Sequence, residues 1–508
     1  MHFRHLTGVH EESHKMLWSK GLLPCQSLRV ELHPQSGLLL KLERQRPCKM
    51  GCIFAMIKKL RSLNPFQMIA LTFLMGIVLG TLLLSLPFSA ASGVKINTLQ
   101  ALFTATSALC VTGLAVVDTQ SSYSTFGQLV ILFLIQTGGL GILTFSTAFA
   151  LLAGKRLGVQ DRLMLATQLS VGNSGEVVQV LKRIFLYVLM VELLGTFLLF
   201  WHFLPLEGAA KGLYYAVFHS ISAFNNAGFA LYPDSLIRFA GDAYLNGVIS
   251  LLIILGGLGF LIQARVFLHV LHPRKYRLDL NSWISLWTPA ALIVGGWLLL
   301  TLLEWNNSGT LGSLPPADRV LAGFFQSVSP RTAGFNTIDY AQMTHSGLLI
   351  TIMLMFVGAN PGSTGGGIKT TTFFVLITSV WSMVRGRGEM VAFKKRIDQE
   401  TVLRAGVVAV MALSIIAGAI LFLTVTEQRN IQTGKLDFLK VVFEAFSAFC
   451  TVGLSMNATP HFSQAGQLIL VFLMYVGRIG PLTFAFALST KSNKGMVHYP
   501  ADKNIQIG

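Results

Sequence analysis

The chain has 508 residues, of which 53% are hydrophobic and only 12% charged. Soluble proteins carry about 25% charged residues, so this composition excludes an ordinary soluble enzyme and points to a membrane protein. The formal net charge of +17 sits in short clusters beside apolar stretches, not on a basic-aromatic face, which argues against nucleic acid as a partner and for charge on the cytoplasmic side of a bilayer.

Residues 1–60 differ from the rest. They are polar, rich in His, Lys and Arg, and lack a continuous apolar run. They read as a polar extension, either disordered or left out of a product that starts at Met50 or Met56, and they have no apolar core of the kind a signal peptide needs. His10-Glu11-Glu12-Ser13-His14 matches the pattern of zinc proteases. That mechanism needs a rigid helix, a third ligand and a cleft, and this stretch is polar on all sides. The cysteines (Cys25, Cys48, Cys52, Cys110, Cys450) form neither a paired framework nor a zinc set; Cys110 and Cys450 read as local packing.

From Pro65 onward, apolar spans of about 20 residues, long enough to cross a bilayer as helices, follow in a regular order. First spans are expected at 66–88, 183–204, 283–303 and 405–425, second spans at 127–153, 244–270, 346–380 and 464–489. Between the two spans of each unit stands one phrase that occurs four times: Phe103 to Leu114, Phe218 to Phe229, Phe324 to Phe335 and Phe443 to Leu454. Each has a Phe ten residues before a Gly and a Leu or Phe directly after it, and the glycines lie 115, 106 and 119 residues apart. Each phrase reads as a half-helix (98–109, 211–223, 317–329, 436–448) followed by an extended segment. The expected fold is all-α and integral to the membrane, with four pseudo-repeats of helix, re-entrant loop and helix around one pore. The repeats span 61–160, 161–272, 273–397 and 398–508.

Lys155, Arg156, Arg162, Lys182, Arg183, Arg274, Lys275, Arg277, the cluster Arg385 to Arg396, Lys491 and Lys494 fall on one side. The other side is sparser, with Lys95, Lys211, Arg238, Arg319, Arg331, Arg429, Lys435 and Lys440. The positive-inside rule places the first side and both termini in the cytoplasm, so the phrases enter from outside. Irregular backbone at membrane depth persists only where it lines a cavity or is buried in protein. A cation that sheds its water needs replacement oxygens, and rings of backbone carbonyls supply them. Gly lets a carbonyl turn toward an axis at low steric cost, and the half-helix C-terminus before each phrase favours a cation. Close helix packing is the plain explanation for a single such Gly; four matched copies favour a pore. The filter candidates are Val111, Thr112 and Gly113; Asn226, Ala227 and Gly228; Thr332, Ala333 and Gly334; and Thr451, Val452 and Gly453. They are neutral, so no acidic ring suited to divalent ions is present.

The third unit interrupts its second span with Gly358-Ala-Asn-Pro361-Gly362-Ser-Thr-Gly365-Gly366-Gly367-Ile-Lys369, which cannot hold a regular helix. The stretch fails as a nucleotide phosphate loop, because Ile368 separates Gly367 from Lys369 and no soluble strand precedes it. Lys369 is a charge at membrane depth, which marks function. Where the first two units carry Gly138-Gly139-Leu140-Gly141 and Gly256-Gly257-Leu258-Gly259, the fourth has Gly477-Arg478-Ile479-Gly480, putting Arg478 on the inner wall unless it snorkels to the interface. Asp118, Asp234 and Asp339 follow their filters and read as N-caps of the next spans or as an acidic outer mouth. His219 and Glu444 read as local hydrogen-bond partners.

With these four phrases and the broken third unit, residues 60–508 resemble the Trk/Ktr/HKT superfamily of potassium transporters, most of all the membrane subunit of bacterial Ktr systems. The resemblance assigns filter glycines to Gly113, Gly228, Gly334 and Gly453, with Gly113 matching the potassium-preferring type. It makes the stretch from Gly358 to Lys369 an intramembrane gate with Arg478 beside it. It implies potassium uptake across a bacterial plasma membrane without covalent cofactor, stimulation by sodium, a homodimer, and a cytoplasmic ring of nucleotide-binding regulatory subunits. A sodium or non-selective monovalent cation transporter of the same fold is the alternative. An intramembrane enzyme would need a catalytic pair at membrane depth, which the sequence does not offer.

Overall fold

The computed structural model describes residues 30–33, 37–40, 65–141, 144, 177–386 and 389–488. The zinc-protease-like motif, the first three cysteines, the basic stretch at 155–162 and the last 20 residues lie outside the described residues. Two compact units divide the chain, Met1–Met68 and Ile69–Gly508. In the first, strands β1 (Val30–His33) and β2 (Gly37–Leu40) pair antiparallel, Val30 opposite Leu40.

The second unit repeats one pattern. The first repeat has α1 (Pro65–Leu84), the half-helix α2 (Thr98–Leu109) and α3 (Thr125–Leu140). The second has α4 (Val177–Glu207), the half-helix α5 (Ala209–Phe224), α6 (Ala243–Gly257) and α7 (Phe260–Leu271). The third has α8 (Leu280–Glu304), the half-helix α9 (Pro316–Val328), α10 (His345–Phe356) and α11 (Thr370–Val384). The fourth has α12 (Gln399–Thr426), the half-helix α13 (Phe438–Phe449), α14 (Gln464–Ile479) and α15 (Pro481–Leu488). A short antiparallel pair, β3 (Val391–Ala392) with β4 (Lys395–Arg396), joins the third to the fourth.

Among the described residues, α1, α4, α8 and α12 are long and apolar enough to cross a membrane. Their outward faces expose Leu82, Leu194, Leu302 and Leu421, apolar surface that suits lipid and would be a liability in water. The half-helices are buried inside this ring: Phe103, Phe218, Phe325 and Phe443 are all inaccessible to solvent. In the third repeat Phe325 takes the place expected of Phe324, because α9 stops at Val328. Ser329, its C-cap, keeps helical backbone (φ −64°, ψ −41°) just before Pro330.

Carboxylates tie first helices to second ones. Glu304, at the end of α8, accepts from Thr344 N–H at 3.0 Å and from its hydroxyl. Glu427, just after α12, does the same for Ser463, with the N–H at 3.0 Å. Thr344 and Ser463 are the N-caps of α10 and α14. In the first repeat the Ser89 carbonyl receives Ser124 N–H, 3.0 Å away.

The second spans of the second and fourth repeats were expected at 244–270 and 464–489 as continuous helices, and they are broken. The α6–α7 pair bends by 103° and the α14–α15 pair by 97°. Each bend falls on a glycine in left-handed backbone, Gly259 at φ 83° and Gly480 at φ 91°, and α3 ends at the matching Gly141, φ 82°. Only glycine enters that region without penalty. The apolar run continues past each glycine, which is why hydropathy alone reads one span.

Candidate functional site

The half-helices α2, α5 and α13 each end four residues before the glycine of their phrase. The chain then turns through two left-handed residues with one between. The first are Val111 (φ 57°), Asn226 (58°), Thr332 (76°) and Thr451 (51°); the second are Gly113 (94°), Gly228 (70°), Gly334 (79°) and Gly453 (92°). A β-branched residue with positive φ is a genuine outlier. Three of the four loops accept that strain, of about 1–3 kcal/mol each. Hydrogen bonds hold it in place. Thr112, Ala227 and Val452 N–H donate to the carbonyls of Ser107, Ser222 and Ser447 at 2.8, 2.8 and 2.9 Å. The serine hydroxyls reach further along: Ser107 and Ser447 Oγ accept from Gly113 and Gly453 N–H at 3.0 and 3.1 Å. Ser222 Oγ donates to Phe229 O at 2.7 Å.

The four loops meet in a closed ring. A Cβ placed on Gly113 would stand 2.5 Å from Ala227 O, and one on Gly228 would stand 2.8 Å from Ala333 O. One on Gly334 would collide with Val452 O, and one on Gly453 with Thr112 O. Each glycine therefore abuts the carbonyl before the next glycine, from repeat one to two, three, four and back to one. The twelve residues expected at a filter are brought together, and the ring has no room for side chains at its glycines.

The residues from Val357 to Lys369 close on themselves, with a parallel bridge between Val357 and Ile368. This loop packs against the ring. A Cβ on Gly365 or Gly366 would collide with the hydroxyl of Thr332 or Thr451 respectively. Thr364 Oγ1 donates to Phe224 O, the end of α5, at 3.2 Å. Four bonds bind the loop to the break between α6 and α7. Asn360 N–H donates to Gly257 O (3.1 Å) and Thr364 N–H to Gly256 O (3.2 Å). Asn360 Nδ2 donates to Leu258 O (3.1 Å), and Phe260 N–H donates to Gly362 O (3.0 Å). Lys369 Nζ donates to Gly365 O at 2.8 Å. Arg478 does not snorkel: it donates to Thr364 O in the loop and to Gly138 O and Gly139 O in the first repeat, the latter two at 2.5 and 3.3 Å. The expected gate residues Gly358, Pro361, Gly362, Gly365, Gly366, Gly367, Lys369 and Arg478 thus form one assembly that touches every repeat.

The sequence reading missed two features. Arg331, grouped there with outer charges, is buried behind the third loop. Its Nη1 and Nη2 lie 3.5 Å from Pro289 O and 3.4 Å from Gly358 O, at the edge of a cavity with room for about one water. Asn225 braces the second loop, donating to Gln136 Oε1 at 2.8 Å and to the buried Glu192 at 3.0 Å. Both residues stand three places before their glycine, where the other phrases have Cys110 and Cys450, and that mismatch was the available signal. The two cysteines are buried at the C-caps of α2 and α13.

The aspartates after the filters are occupied. Asp118 accepts from Ser121 N–H at 2.7 Å and Asp339 from Ala341 N–H at 3.0 Å, capping short turns instead of the next spans. Asp234 pairs with Arg238 at 2.7 Å. His219 and Glu444 lie at matching places and hold the chain after the filter. His219 binds Leu231 N–H at 3.3 Å, and Glu444 accepts from Met456 N–H at 3.2 Å and Thr459 Oγ1 at 2.8 Å.

The profile of the TrkH family, described as a cation transport protein, matches residues 54–498. The chain is 41% identical over 438 residues to the Ktr system potassium uptake protein B of Bacillus subtilis, covering 86% of this chain and 95% of that protein. It is 38% identical over 455 residues to the potassium/sodium uptake protein NtpJ of Enterococcus hirae, covering 89% and 99%. The crystal structure of the potassium transporter TrkH from Vibrio parahaemolyticus matches with a TM-score of 0.63 at 21% identity, over 82% of this chain and 84% of that one, and shares the fold.

Proposed function

The chain belongs to the TrkH family of cation transport proteins, among its Ktr and Trk potassium-uptake transporters, and from that premise we propose that it carries potassium inward through the ring of four loops. It is an ion transporter and not an enzyme. The observation that carries the reading is the closed ring in which Gly113, Gly228, Gly334 and Gly453 abut the carbonyls of Ala227, Ala333, Val452 and Thr112. Neutral carbonyls at a constriction replace the hydration shell of a monovalent cation, and four half-helix C-termini aimed at the same region add favourable potential. Beneath them, the loop from Gly358 to Lys369 acts as the gate, held shut by Arg478.

The protein sits in a bacterial plasma membrane with both termini in the cytoplasm, as the basic loops favour. It works as a homodimer on a cytoplasmic ring of nucleotide-binding subunits, and sodium stimulates it without being a bound cofactor. The Bacillus relative is named as part of a Ktr system, which supports a regulatory partner. The name of the Enterococcus relative includes sodium, and this favours one second reading, transport of sodium beside potassium.

Expression in a bacterial strain without its own potassium uptake, with and without a Ktr-type ring subunit, tests both. Growth on low potassium, with rubidium uptake resisting excess sodium, is the expected result. Sodium flux without potassium rescue moves the protein to the second reading. No flux of either ion from well-inserted protein with its partner refutes transport through the ring.

A further inference from the structure

Pro289 lies inside α8 and supplies no N–H for the carbonyl one turn earlier. That carbonyl, Ser285 O, accepts from Asn360 Nδ2 at 2.8 Å. Asn360 is fully buried. Thr370 Oγ1 donates to its Oδ1, which turns Nδ2 toward Ser285 O and, at 3.1 Å, toward Leu258 O. One side chain of the loop therefore joins the break of the second repeat to the proline of the third repeat's first helix. Pro289 O faces Arg331 of the third filter loop on the other hand, so α8 meets filter and loop at the same turn.

We propose that Asn360 is the latch of the loop, and that Pro289 serves to free the carbonyl that receives it. Both are positioning residues, and their bearing on transport rests on the reading of this loop as the gate. The loop's internal bridge between Val357 and Ile368 would move with the loop as a body. The bonds from Asn360 to Ser285 and Leu258 cross to other elements, so they must break when the loop leaves the ring. A proline placed here costs α8 one helical hydrogen bond, and the loop's amide replaces that bond.

Pro289→Ala restores an N–H that competes with Asn360 for Ser285 O. Ser363, next to the latch, is replaced by cysteine in a background without native cysteines. Its modification rate by a membrane-impermeant thiol reagent added from the cytoplasmic side is measured in the full chain with its partner, beside potassium flux. Pro289→Ala and Asn360→Ser are each expected to raise the modification rate by about threefold to tenfold, the effect of weakening one buried hydrogen bond. The two changes together should do little more than Asn360→Ser alone, since Pro289→Ala acts only on the Ser285 bond that Asn360→Ser already removes. An unchanged rate in folded Pro289→Ala and Asn360→Ser proteins overturns the latch, as do fully additive effects. A raised rate with unchanged flux upholds the latch and refutes the gate.

Discussion

Alanine at each of the four ring glycines separates packing of carbonyls from mere flexibility, because the positions are not equally tight. Real Cβ atoms essentially never approach another atom closer than 3.0 Å. At Gly228 the facing carbonyl must retreat by 3.0 − 2.8 = 0.2 Å, at Gly113 by 3.0 − 2.5 = 0.5 Å, and at Gly334 and Gly453 by more. Backbone torsion orders the extremes in the same way. Gly228, at φ 70°, lies near the left-handed region open to other residues, whereas Gly113 at 94° and Gly453 at 92° lie outside it. A residue with a side chain in such backbone costs about 1–3 kcal/mol, and about 1.4 kcal/mol is tenfold in an equilibrium constant. Gly228→Ala should therefore keep its apparent potassium affinity within about tenfold of the parent, Gly113→Ala and Gly334→Ala should lose about tenfold to a hundredfold, and Gly453→Ala should lose uptake. The assay is rubidium uptake over a concentration series in cells without other potassium transporters, normalised to protein in the membrane. Equal tolerance at all four sites, or greatest sensitivity at Gly228, would refute the link between ring packing and ion affinity.

Arg478→Gln removes the guanidinium shared by Thr364 O and the Gly138 and Gly139 carbonyls; resting cation flux should rise and depend less on the partner subunit, and unchanged flux in vesicles would remove Arg478 from the gate. Glu427→Gln sets an amide against the N–H and hydroxyl of Ser463 and the amide of Asn430. It should lower the Tm of the detergent-solubilised protein, from a loss of about 1–3 kcal/mol, and leave ion preference alone; a differential scanning measurement with no drop counts against that role. Ser447→Ala takes away the acceptor of Gly453 N–H. Potassium affinity in the same uptake assay should fall by about twofold to tenfold, and a rise in affinity would contradict it.

The repeated phrase was legible because chemistry demands glycine at the ring, and the half-helices before it came out within a few residues. The break in the third repeat's second span was legible too, since Pro361 and its glycines forbid a helix. The breaks at Gly259 and Gly480 were signalled by glycine but masked by the apolar residues on both sides, which suit a straight span and a bent one equally. Gly138, Gly256 and Gly477 stood out in the sequence without a reason. In the structure each lies against the last carbonyl of a half-helix, Leu109, Phe224 and Phe449, with no space for a Cβ. Arg331 could not be placed from sequence, because its burial depends on Pro289, 42 residues earlier in the chain, and on the loop at Gly358. The brace of Gln136, Glu192 and Asn225 likewise joins residues 33 and 89 apart.

Those distant contacts share one electrostatic logic. Arg331, Lys369 and Arg478 gather around the ring and the loop, and among the described residues none of the three has a carboxylate within ion-pair distance. Their donors go to backbone carbonyls instead: Pro289 and Gly358, Gly365, and Thr364 with Gly138 and Gly139. Carbonyls at irregular backbone are the same ligands that a permeating ion would use. On the gate reading, the protein's own cations occupy these ligands beside the filter, and a potassium ion moving past them meets repulsion. Two unit charges 4 Å apart at an effective dielectric near 20 repel by about 4 kcal/mol, roughly a thousandfold in occupancy. Of the three, Lys369 is the charge the loop carries with it, while Arg331 and Arg478 stand on other elements. A carboxylate partner would neutralise such a charge, so on that reading the absence of ion pairs at these three residues, among the described residues, keeps the repulsion in place.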